Sequence, residues 1–351
     1  DRDQEYKVGD WADIPYLNGG LFSPDEDIDY YEKDPVTNRS LHINTLKITN
    51  EWFLELFKTL ETYNFTIDEN TLIDQELSID PEMLGRIFEN LLAEEINEET
   101  KETARNNTGS FYTPRPIVEY MVDESLTQYL ITKTGISSDK IKALISYDEN
   151  DDFEYPLQAN ESDLIISAIS VLKVLDPACG SGAFPMGMLH KIVYILDKID
   201  PKANKWLDTK LSGIKDESFK DRIRNDYHNK SLDYIRKSFI IKDSIFGVDI
   251  QPIAVEVAKL RCFLTLIIDE KINDSEPNRG IDTLPNLDFK FVAANSLIKP
   301  PTKNSEGLSL FDEFENKLLR VVDRYYSAKG ESKQVLWNQL SEHINKKVNE
   351  N

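Results

Sequence analysis

The stretch Val171-Leu-Lys-Val-Leu-Asp-Pro-Ala-Cys-Gly-Ser-Gly-Ala-Phe184 decides the fold, because it joins an apolar run to a turn with two glycines. Four of the five residues 171–175 are large and apolar, which is typical of a strand in a parallel sheet covered on both faces. Gly180 and Gly182 permit a sharp turn and a close approach of the backbone to a ligand. From Ala183 onward apolar residues recur at helical spacing, so the turn ends at a helix N-terminus with free N–H groups. This order predicts a doubly wound α/β fold with a nucleotide-like ligand at the turn.

The composition is that of an ordinary globular protein, with 351 residues of which 40% are hydrophobic and 30% charged. Apolar runs stay below the roughly 18 residues that a membrane-spanning helix needs, and the N-terminal residues form no signal segment, so we expect a cytoplasmic protein with no membrane association. Because the chain does not begin with methionine, we expect it to be part of a longer protein. Two cysteines and four scattered histidines have no disulfide or metal-site spacing, so we expect no metal.

The net charge is −22, from 41 lysines and arginines against 63 aspartates and glutamates. A protein that binds DNA by itself normally carries a basic face that displaces counterions from the phosphates. Either the substrate is therefore not a nucleic acid, or the basic parts that contact DNA lie elsewhere in a longer protein.

Three segments before the glycine turn have the pattern of helices. Residues 51–60 place aromatic and aliphatic side chains on one face, which predicts an amphipathic helix packed in a core. Residues 80–94 begin with Asp-Pro, a helix cap followed by proline at the first helical position. In the third segment Thr113 can cap a helix that begins at Pro114, and the Gly-Ser-Phe-Tyr before it can lay an aromatic ring against a ligand.

Two further strands are predicted after the glycine turn, and each ends in a polar residue. The second strand ends in Asp249, and residues 289–295 form a short third strand that ends in Asn295. Asp249 follows Asp176 by 73 residues, so the polar residues 200–238 are predicted to be a solvent-facing helical insertion in the crossover. In a nucleotide site the acid after the second strand binds the ribose hydroxyls, and Asp249 has that place.

The pattern of the turn argues against a nicotinamide dinucleotide. A dinucleotide site has a third glycine that lets the pyrophosphate lie on the helix N-terminus, and this chain has Pro185 at that position. The site therefore suits a nucleoside with a short charged tail better than a dinucleotide.

The residues Asp176-Pro-Ala-Cys-Gly-Ser-Gly-Ala-Phe184 resemble motif I of the S-adenosylmethionine-dependent amino-methyltransferases of DNA. Thr108–Val122 is similar to motif X of these enzymes, Gly247–Ile250 to motif II, and Ala294–Leu297 to motif III. In the adenine-N6 enzymes with this order of motifs, motif X precedes motif I, as it does in this chain. The resemblance therefore implies S-adenosylmethionine as cofactor and adenine N6 as the methyl acceptor.

Residues 15–22 and 84–94 resemble the helical connector of type IIG restriction-modification proteins, which join nuclease, methyltransferase and target recognition in one polypeptide. The resemblance implies an α/β Rossmann-like methyltransferase fold with a partial parallel sheet, preceded by a mainly helical connector domain. The predicted parts are the connector at 1–107, a motif X segment at 108–134, an insertion at 135–170, the S-adenosylmethionine-binding half at 171–300 with a helical insertion at 200–239, and a helical segment at 301–351.

The resemblance also implies a role for individual residues. Motif X closes over the methionine moiety, Asp176 and the turn backbone hold its amino and carboxylate ends, Asp249 binds both ribose hydroxyls, and Ile250 packs on the adenine. Many relatives have an aspartate at motif III, but the amide oxygen of Asn295 can still accept from the adenine amino group. The implied cofactor-binding residues are Phe111, Tyr112, Thr113, Pro114, Asp176, Ala178, Cys179, Gly180, Gly182, Asp249, Ile250 and Asn295.

Adenine-N6 enzymes also carry motif IV, Asn/Asp-Pro-Pro-Tyr/Phe, which binds the target amino group and stacks on the flipped base. No such tetrapeptide occurs in the 351 residues, since Lys299-Pro-Pro-Thr302 lacks both the acceptor and the aromatic. We therefore expect no catalytic residue in this chain and no methyl transfer by the chain alone. Contact with double-stranded DNA is expected through other parts of a longer protein.

Three alternatives stay open at this stage. The modification subunit of a type I system has similar motifs X and I and relies on a separate specificity subunit, but the connector resemblance disfavours it. A non-catalytic interaction module with a degenerate methyltransferase fold would bind no cofactor. A small-molecule methyltransferase fits the acidic charge but accounts for neither motif X nor the connector.

Overall fold

A computed structural model describes most of the chain from residue 113 to residue 297 and a separate helix before it. The described residues are 48–60, 87, 113–146, 157–212, 217, 220, 221, 224, 230–270, 273–275, 277–281, 287 and 290–297. The predicted connector segments, apart from Ile87 in the second, lie outside these ranges, as do Phe111, Tyr112 and residues 301–351.

The described elements alternate between helices and short strands in the order expected of an α/β protein. The helices are α1 Asn50–Leu60, α2 Arg115–Thr134, α3 Ser138–Ile145, α4 Ala159–Ser170, α5 Ala183–Ile199, α6 Asn204–Leu211, α7 Leu232–Asp243 and α8 Pro252–Ile267. The strands are β1 Val174–Asp176, β2 Ile245–Asp249 and β3 Phe291–Ala293, and a short 3-10 turn covers Pro277–Gly280.

The three strands form a parallel sheet in the order β1-β2-β3. Val174 lies opposite Ile245 at the start of the first pair, and Gly247 lies opposite Phe291 at the start of the second. Parallel neighbours need a crossover, which α5, α6 and α7 provide from β1 to β2, and α8 from β2 to β3. A small parallel sheet with crossover helices is compatible with the predicted Rossmann-like methyltransferase fold.

Within the described part of the chain, the helices cover one face of this sheet. Ile245 and Phe291 point to the covered face and are buried, whereas Leu175 and Val292 on the other face are 64% and 39% exposed. Side chains alternate between the faces along a strand, so this difference follows the pleat. The expectation that β1 is covered on both faces is therefore not met by the described residues.

The structure corrects the start of the first strand. β1 begins at Val174 and not at Val171, because α4 ends at Ser170 with Val171 as its C-cap, and Leu172 and Lys173 connect the helix to the strand. Helix α4 buries Ile165 and Ile169 in the core, so the segment predicted as an insertion at 135–170 contributes to the packing of the domain.

The prediction that residues 200–238 face solvent is wrong for part of the residues that the structure describes there. Trp206 in α6 and Tyr234 in α7 are buried in the core. The segment is rich in charged residues, but some of these charged side chains are buried together with their partners. Arg236, which is 1% exposed, donates from Nη1 to the carboxylates of Asp197 and Asp233, both at 2.9 Å.

Helix α1 forms as predicted, but its apolar face is not buried within the described part of the chain. Trp52 is 51% and Phe57 57% exposed. The rings of Phe53 and Phe57 stack with centroids 6.3 Å apart, so the aromatics contact each other along the helix. The prediction that this face packs in a core is thus not met by the described residues.

Helices α2 and α5 pack against each other at a glycine. A Cβ added to Gly187 would lie 2.7 Å from Cγ1 of Val118 and 3.4 Å from Cγ2 of Val122. Nearby, the ammonium of Lys191, which is 2% exposed, lies 2.9 Å from Oδ1 of Asp123. Burial raises the pKa of the Asp123 carboxyl and lowers that of the Lys191 ammonium, while their mutual attraction opposes both shifts. The motif X helix is therefore docked on the helix that follows the glycine turn.

Gly187→Ala is expected to lower the free energy of unfolding by about 1–3 kcal/mol, the usual cost of overpacking a core. The added methyl overlaps a stiff β-branched side chain, although the higher helix propensity of alanine offsets about 1 kcal/mol. Urea unfolding followed by circular dichroism measures the change. Adding Val118→Ala should recover part of the loss, whereas strictly additive costs of the two substitutions would contradict the contact.

Candidate functional site

The glycine turn lies between two carboxylates at the carboxyl edge of the sheet. Asp176 is the last residue of β1 and Asp249 the last of β2. The N–H of Ala178 donates to Oδ1 of Asp176 at 3.0 Å, and the N–H of Gly180 donates to Oδ2 of Asp249 at 2.8 Å. The structure thus brings together the turn and the two acids that the sequence singles out.

The two glycines are required by backbone conformation and by space. Gly180 and Gly182 have φ of +52° and +90°, in the left-handed region that other residues rarely adopt. Gly182 is the N-cap of α5, and a Cβ on it would lie 3.1 Å from Cβ of Ala258 in α8. The N–H of Cys179 donates to the carbonyl of Val248 at 2.9 Å, which fastens the turn to β2.

Asp176 carries an acceptor without a donor among the described residues, because its Oδ2 is enclosed and makes no hydrogen bond with them. Burial raises the pKa of this carboxyl, the N–H of Ala178 opposes the shift, and the nearby Asp249 raises the pKa further. A buried carboxylate beside a second carboxylate favours a cationic hydrogen-bond donor as its partner. The amino end of a zwitterionic ligand has this chemistry.

Both oxygens of Asp249 accept backbone hydrogen bonds. Oδ2 accepts from Gly180, and Oδ1 accepts from the N–H of Gln251 at 2.9 Å, at the start of α8. Because a carboxylate has about four acceptor positions, Asp249 keeps acceptor capacity for the hydroxyls of a ligand. The contribution of Gln251 was not predicted, although an aspartate two residues before a backbone N–H is the usual arrangement of such a turn.

The edge beyond Asp249 offers apolar surface and an amide. Ile250 is 58% exposed and follows the carboxylate directly. Asn295 follows β3, is exposed, and accepts at Oδ1 from the N–H of Leu297 at 3.0 Å. The N–H of Ala294 donates to the carbonyl of Asp249 at 2.8 Å, which holds the ends of β2 and β3 together. The amide oxygen of Asn295, predicted to accept from an adenine amino group, is therefore shared with a backbone donor.

The Cys179 side chain belongs to the packing under the turn. Burial raises the pKa of its thiol to about 12, and the charges of Asp176 and Asp249 add to the shift. A thiol with this pKa is protonated at neutral pH and is a poor nucleophile. A Cβ on Gly247 would lie 2.8 Å from the sulfur, so β2 needs a glycine there. The Cys179 side chain therefore has a packing role, and contact of this residue with a cofactor stays a prediction.

The structure begins its description of motif X at Thr113, which is half-buried. The prediction that Thr113 caps the helix is wrong. The N-cap of α2 is Pro114, and the helix has no capping hydrogen bond from a side chain at this end. Pro114 is extended, with ψ of 141°, so the first helical residue is Arg115. The described residues therefore place Thr113 and Pro114 at the start of α2 and leave their contact with a cofactor as a prediction.

Helix α8 adds a residue that the sequence reasoning missed. Arg261 is 3% exposed, and its Nη1 donates to the carbonyl of Ser181 in the turn at 3.0 Å. Arg261 shares helical spacing with Ala254, Ala258 and Thr265, all of which are buried. An arginine on the apolar face of the helix after motif II was the signal that could have identified it.

The described residues contain neither a metal-binding cluster nor a membrane-spanning helix. No group of three or more histidine, cysteine, aspartate or glutamate side chains in this part of the chain is arranged to hold a metal ion. In the same residues, no helix has the length and apolar character needed to cross a membrane.

Comparison with known proteins places these features in a family context. The chain is 28% identical over 313 residues, 86% of its length, to a protein of Methanocaldococcus jannaschii that carries the provisional name of a type II restriction enzyme and methyltransferase. The chain spans 22% of the length of that relative. No family model matches the chain. The similarity, at modest identity, confirms the predicted resemblance to restriction-modification methyltransferases.

Asp176→Asn is expected to stabilise the chain at neutral pH. The native state raises the pKa of Asp176, so the folded chain binds more protons than the unfolded chain between the two pKa values, and this carboxyl destabilises the fold as the pH rises. The gain from asparagine should be absent below the unfolded pKa of the aspartate, grow up to its raised native pKa and stay constant above it. Urea unfolding at several pH values measures it, and a gain that is the same at every pH would contradict the assignment.

Proposed function

We propose that this chain binds S-adenosylmethionine and forms the cofactor-binding part of a restriction-modification DNA methyltransferase. The observation that carries the proposal is the glycine turn between Asp176 and Asp249, whose carboxylates lie at the ligand-binding edge of a parallel sheet. The similarity to a protein named as a restriction enzyme and methyltransferase supports the class of enzyme.

Each part of the edge matches one part of this cofactor. Oδ2 of Asp176, which has no donor among the described residues, would accept from the amino group of the methionine moiety, and the N-terminus of α5 would bind the carboxylate of that moiety. Asp249 would accept from the ribose hydroxyls with its remaining lone pairs. Ile250 would pack on the adenine, and Asn295 would bind its edge. The bound cofactor supplies an electrophilic methyl group on a sulfonium centre.

The charge of the site agrees with this ligand. S-adenosylmethionine carries two positive charges, on the sulfonium and the amino group, and one negative charge on its carboxylate. Asp176 complements the amino group and the helix N-terminus complements the carboxylate, while the negative charge of the two acids together favours a ligand that also carries a sulfonium. A dinucleotide with its two phosphates would meet repulsion from the same two carboxylates.

We further propose that the methyl acceptor is N6 of adenine in double-stranded DNA and that the whole protein is of the type IIG kind in the cytoplasm. The order of motifs X, I, II and III and the connector-like residues 15–22 and 84–94 support this narrower proposal. Because no motif IV tetrapeptide occurs in the 351 residues, the target base would be held by residues outside this chain. The chain alone is then expected to bind cofactor without transferring its methyl group.

Calorimetric titration of the chain with S-adenosylhomocysteine, the product form of the cofactor, tests the site. Asp249→Ala should weaken binding by about tenfold or more, because hydrogen bonds to a charged group are lost. The matched control is Asp163→Ala, which removes a carboxylate that is 58% exposed on α4 and paired with Lys205. Undiminished binding by Asp249→Ala would overturn the role of Asp249, and no binding by the unaltered chain would favour a non-catalytic interaction module.

The whole protein, incubated with S-adenosylmethionine and DNA, is expected to form N6-methyladenine. Mass spectrometry of the DNA hydrolysed to nucleosides distinguishes this product from N4-methylcytosine. The 351-residue chain under the same conditions serves as the control and should yield neither base. Methylation of cytosine would contradict the adenine assignment and leave the cofactor site unaffected.

A further inference from the structure

A buried arginine contacts the glycine turn from α8. Arg261 is 3% exposed, and its Nη1 lies 3.0 Å from the carbonyl oxygen of Ser181, a residue 80 positions earlier in the chain. One helical turn before it, Ala258 packs against Gly182. Helix α8 therefore touches the turn at two successive points, one apolar and one charged.

Three hydrogen bonds in series connect Arg261 to Asp249 through the turn. Arg261 donates to the carbonyl of peptide group 181–182, whose N–H, on Gly182, donates to the carbonyl of Cys179 at 2.8 Å. That carbonyl belongs to peptide group 179–180, whose N–H, on Gly180, donates to Oδ2 of Asp249 at 2.8 Å. A guanidinium thus lies at one end of the series, a carboxylate at the other, and every bond points the same way.

Such a series is stronger than its separate bonds. Each peptide group that accepts at its oxygen becomes a better donor at its nitrogen, and charged groups at the ends strengthen the terminal bonds. The burial of the series lowers the dielectric screening between its ends. The series therefore links the Asp249 carboxylate to a cation that does not touch it.

We propose that Arg261 is a positioning residue, which sets the turn and the Asp249 carboxylate for the ribose hydroxyls of the cofactor. This inference rests on the proposed function, since it concerns the same site. Arg261 acts through the two peptide groups and Asp249 and makes no contact with the cofactor. Replacing it by an apolar side chain of similar length keeps the volume but leaves the carbonyl of Ser181 without this donor.

A second buried arginine provides a matched control. Arg236 in α7 is 1% exposed and donates to Asp197, to Asp233 and to the carbonyls of residues 200 and 201. None of these residues belongs to the glycine turn. Arg236→Met and Arg261→Met therefore both remove a buried guanidinium, but only the second interrupts the series.

The affinity for S-adenosylhomocysteine, measured by calorimetry, should fall about tenfold or more in Arg261→Met, because the turn loses a charged donor and no longer holds Asp249 in place for the ribose hydroxyls. Arg236→Met should lower the stability of the chain and leave the affinity unchanged. In chains that already carry Asp249→Ala, Arg261→Met should cause little further loss, because the series then has no carboxylate at its end. If the two substitutions instead lower the affinity by independent factors that multiply, the proposal is overturned.

Amide hydrogen exchange gives a readout that needs no ligand. Arg261→Met should accelerate exchange at the N–H groups of Gly180 and Gly182 and leave the middle of α5, at Leu189, unchanged, whereas general loosening accelerates all three. If Arg261→Met does not fold, Arg261→Lys replaces it. Lysine keeps a cation but lacks the planar fork, so an intermediate acceleration is expected at the two glycines.

The outcomes separate this inference from the proposed function. A chain that binds S-adenosylhomocysteine, but whose Arg261 and Asp249 variants lose affinity independently, retains its function and loses the positioning role of Arg261. A chain that binds no S-adenosylhomocysteine loses the proposed function. In that case unchanged exchange at Gly180 and Gly182 also overturns the series of bonds, and faster exchange at these two glycines supports it.

Discussion

The parallel register of β1 and β2 is the constraint on which the site depends. It sets Asp176 opposite Gly247, so that Asp249, two residues further along β2, reaches beyond the end of β1. The turn that follows β1 then lies within hydrogen-bond distance of both strand ends, through Cys179 to Val248 and through Gly180 to Asp249. A shift of this pairing by one residue would turn the side chains to opposite faces and separate the two acids.

Two like charges at this edge are tolerated because backbone donors surround them. Asp249 accepts two N–H groups and Asp176 accepts one, and the helices α5 and α8 both begin there, with the positive ends of their dipoles. Within the part of the chain that the structure describes, the compensation is incomplete at Asp176, where one oxygen has no donor. A site in which the protein leaves one charge unmatched is selective for a ligand that supplies the missing partner.

The sequence predicted the parts of this site that are encoded locally. Each of these parts is indicated by a pattern that spans about ten residues and lies within a single element. They are the glycines at 180 and 182, the helix after them, and the acids at the ends of two apolar runs. What it did not predict depends on contacts between distant segments. Arg261 is 80 residues from Ser181, and Gly187 owes its importance to Val118 on another helix.

Burial of the crossover helices was mispredicted for a related reason. Residues 200–238 are rich in charge, and charge normally marks a solvated face. Here Arg236 is buried with the carboxylates of Asp197 and Asp233, while Trp206 and Tyr234 lie in the core. Pairing of this kind is invisible to a hydropathy pattern, because the pattern scores each residue without its partner.

The packing of the cysteines has a practical consequence. The chain contains two, Cys179 and Cys262, both buried, and burial raises the pKa of each thiol to about 12. The thiolate is the form that attacks an electrophilic dye, so both native cysteines react poorly at neutral pH. A single cysteine introduced at an exposed position, such as Tyr120 on α2, can therefore be labelled selectively in the otherwise unaltered chain. A fluorophore there reports the position of the motif X helix while the native thiols beside the turn stay unmodified.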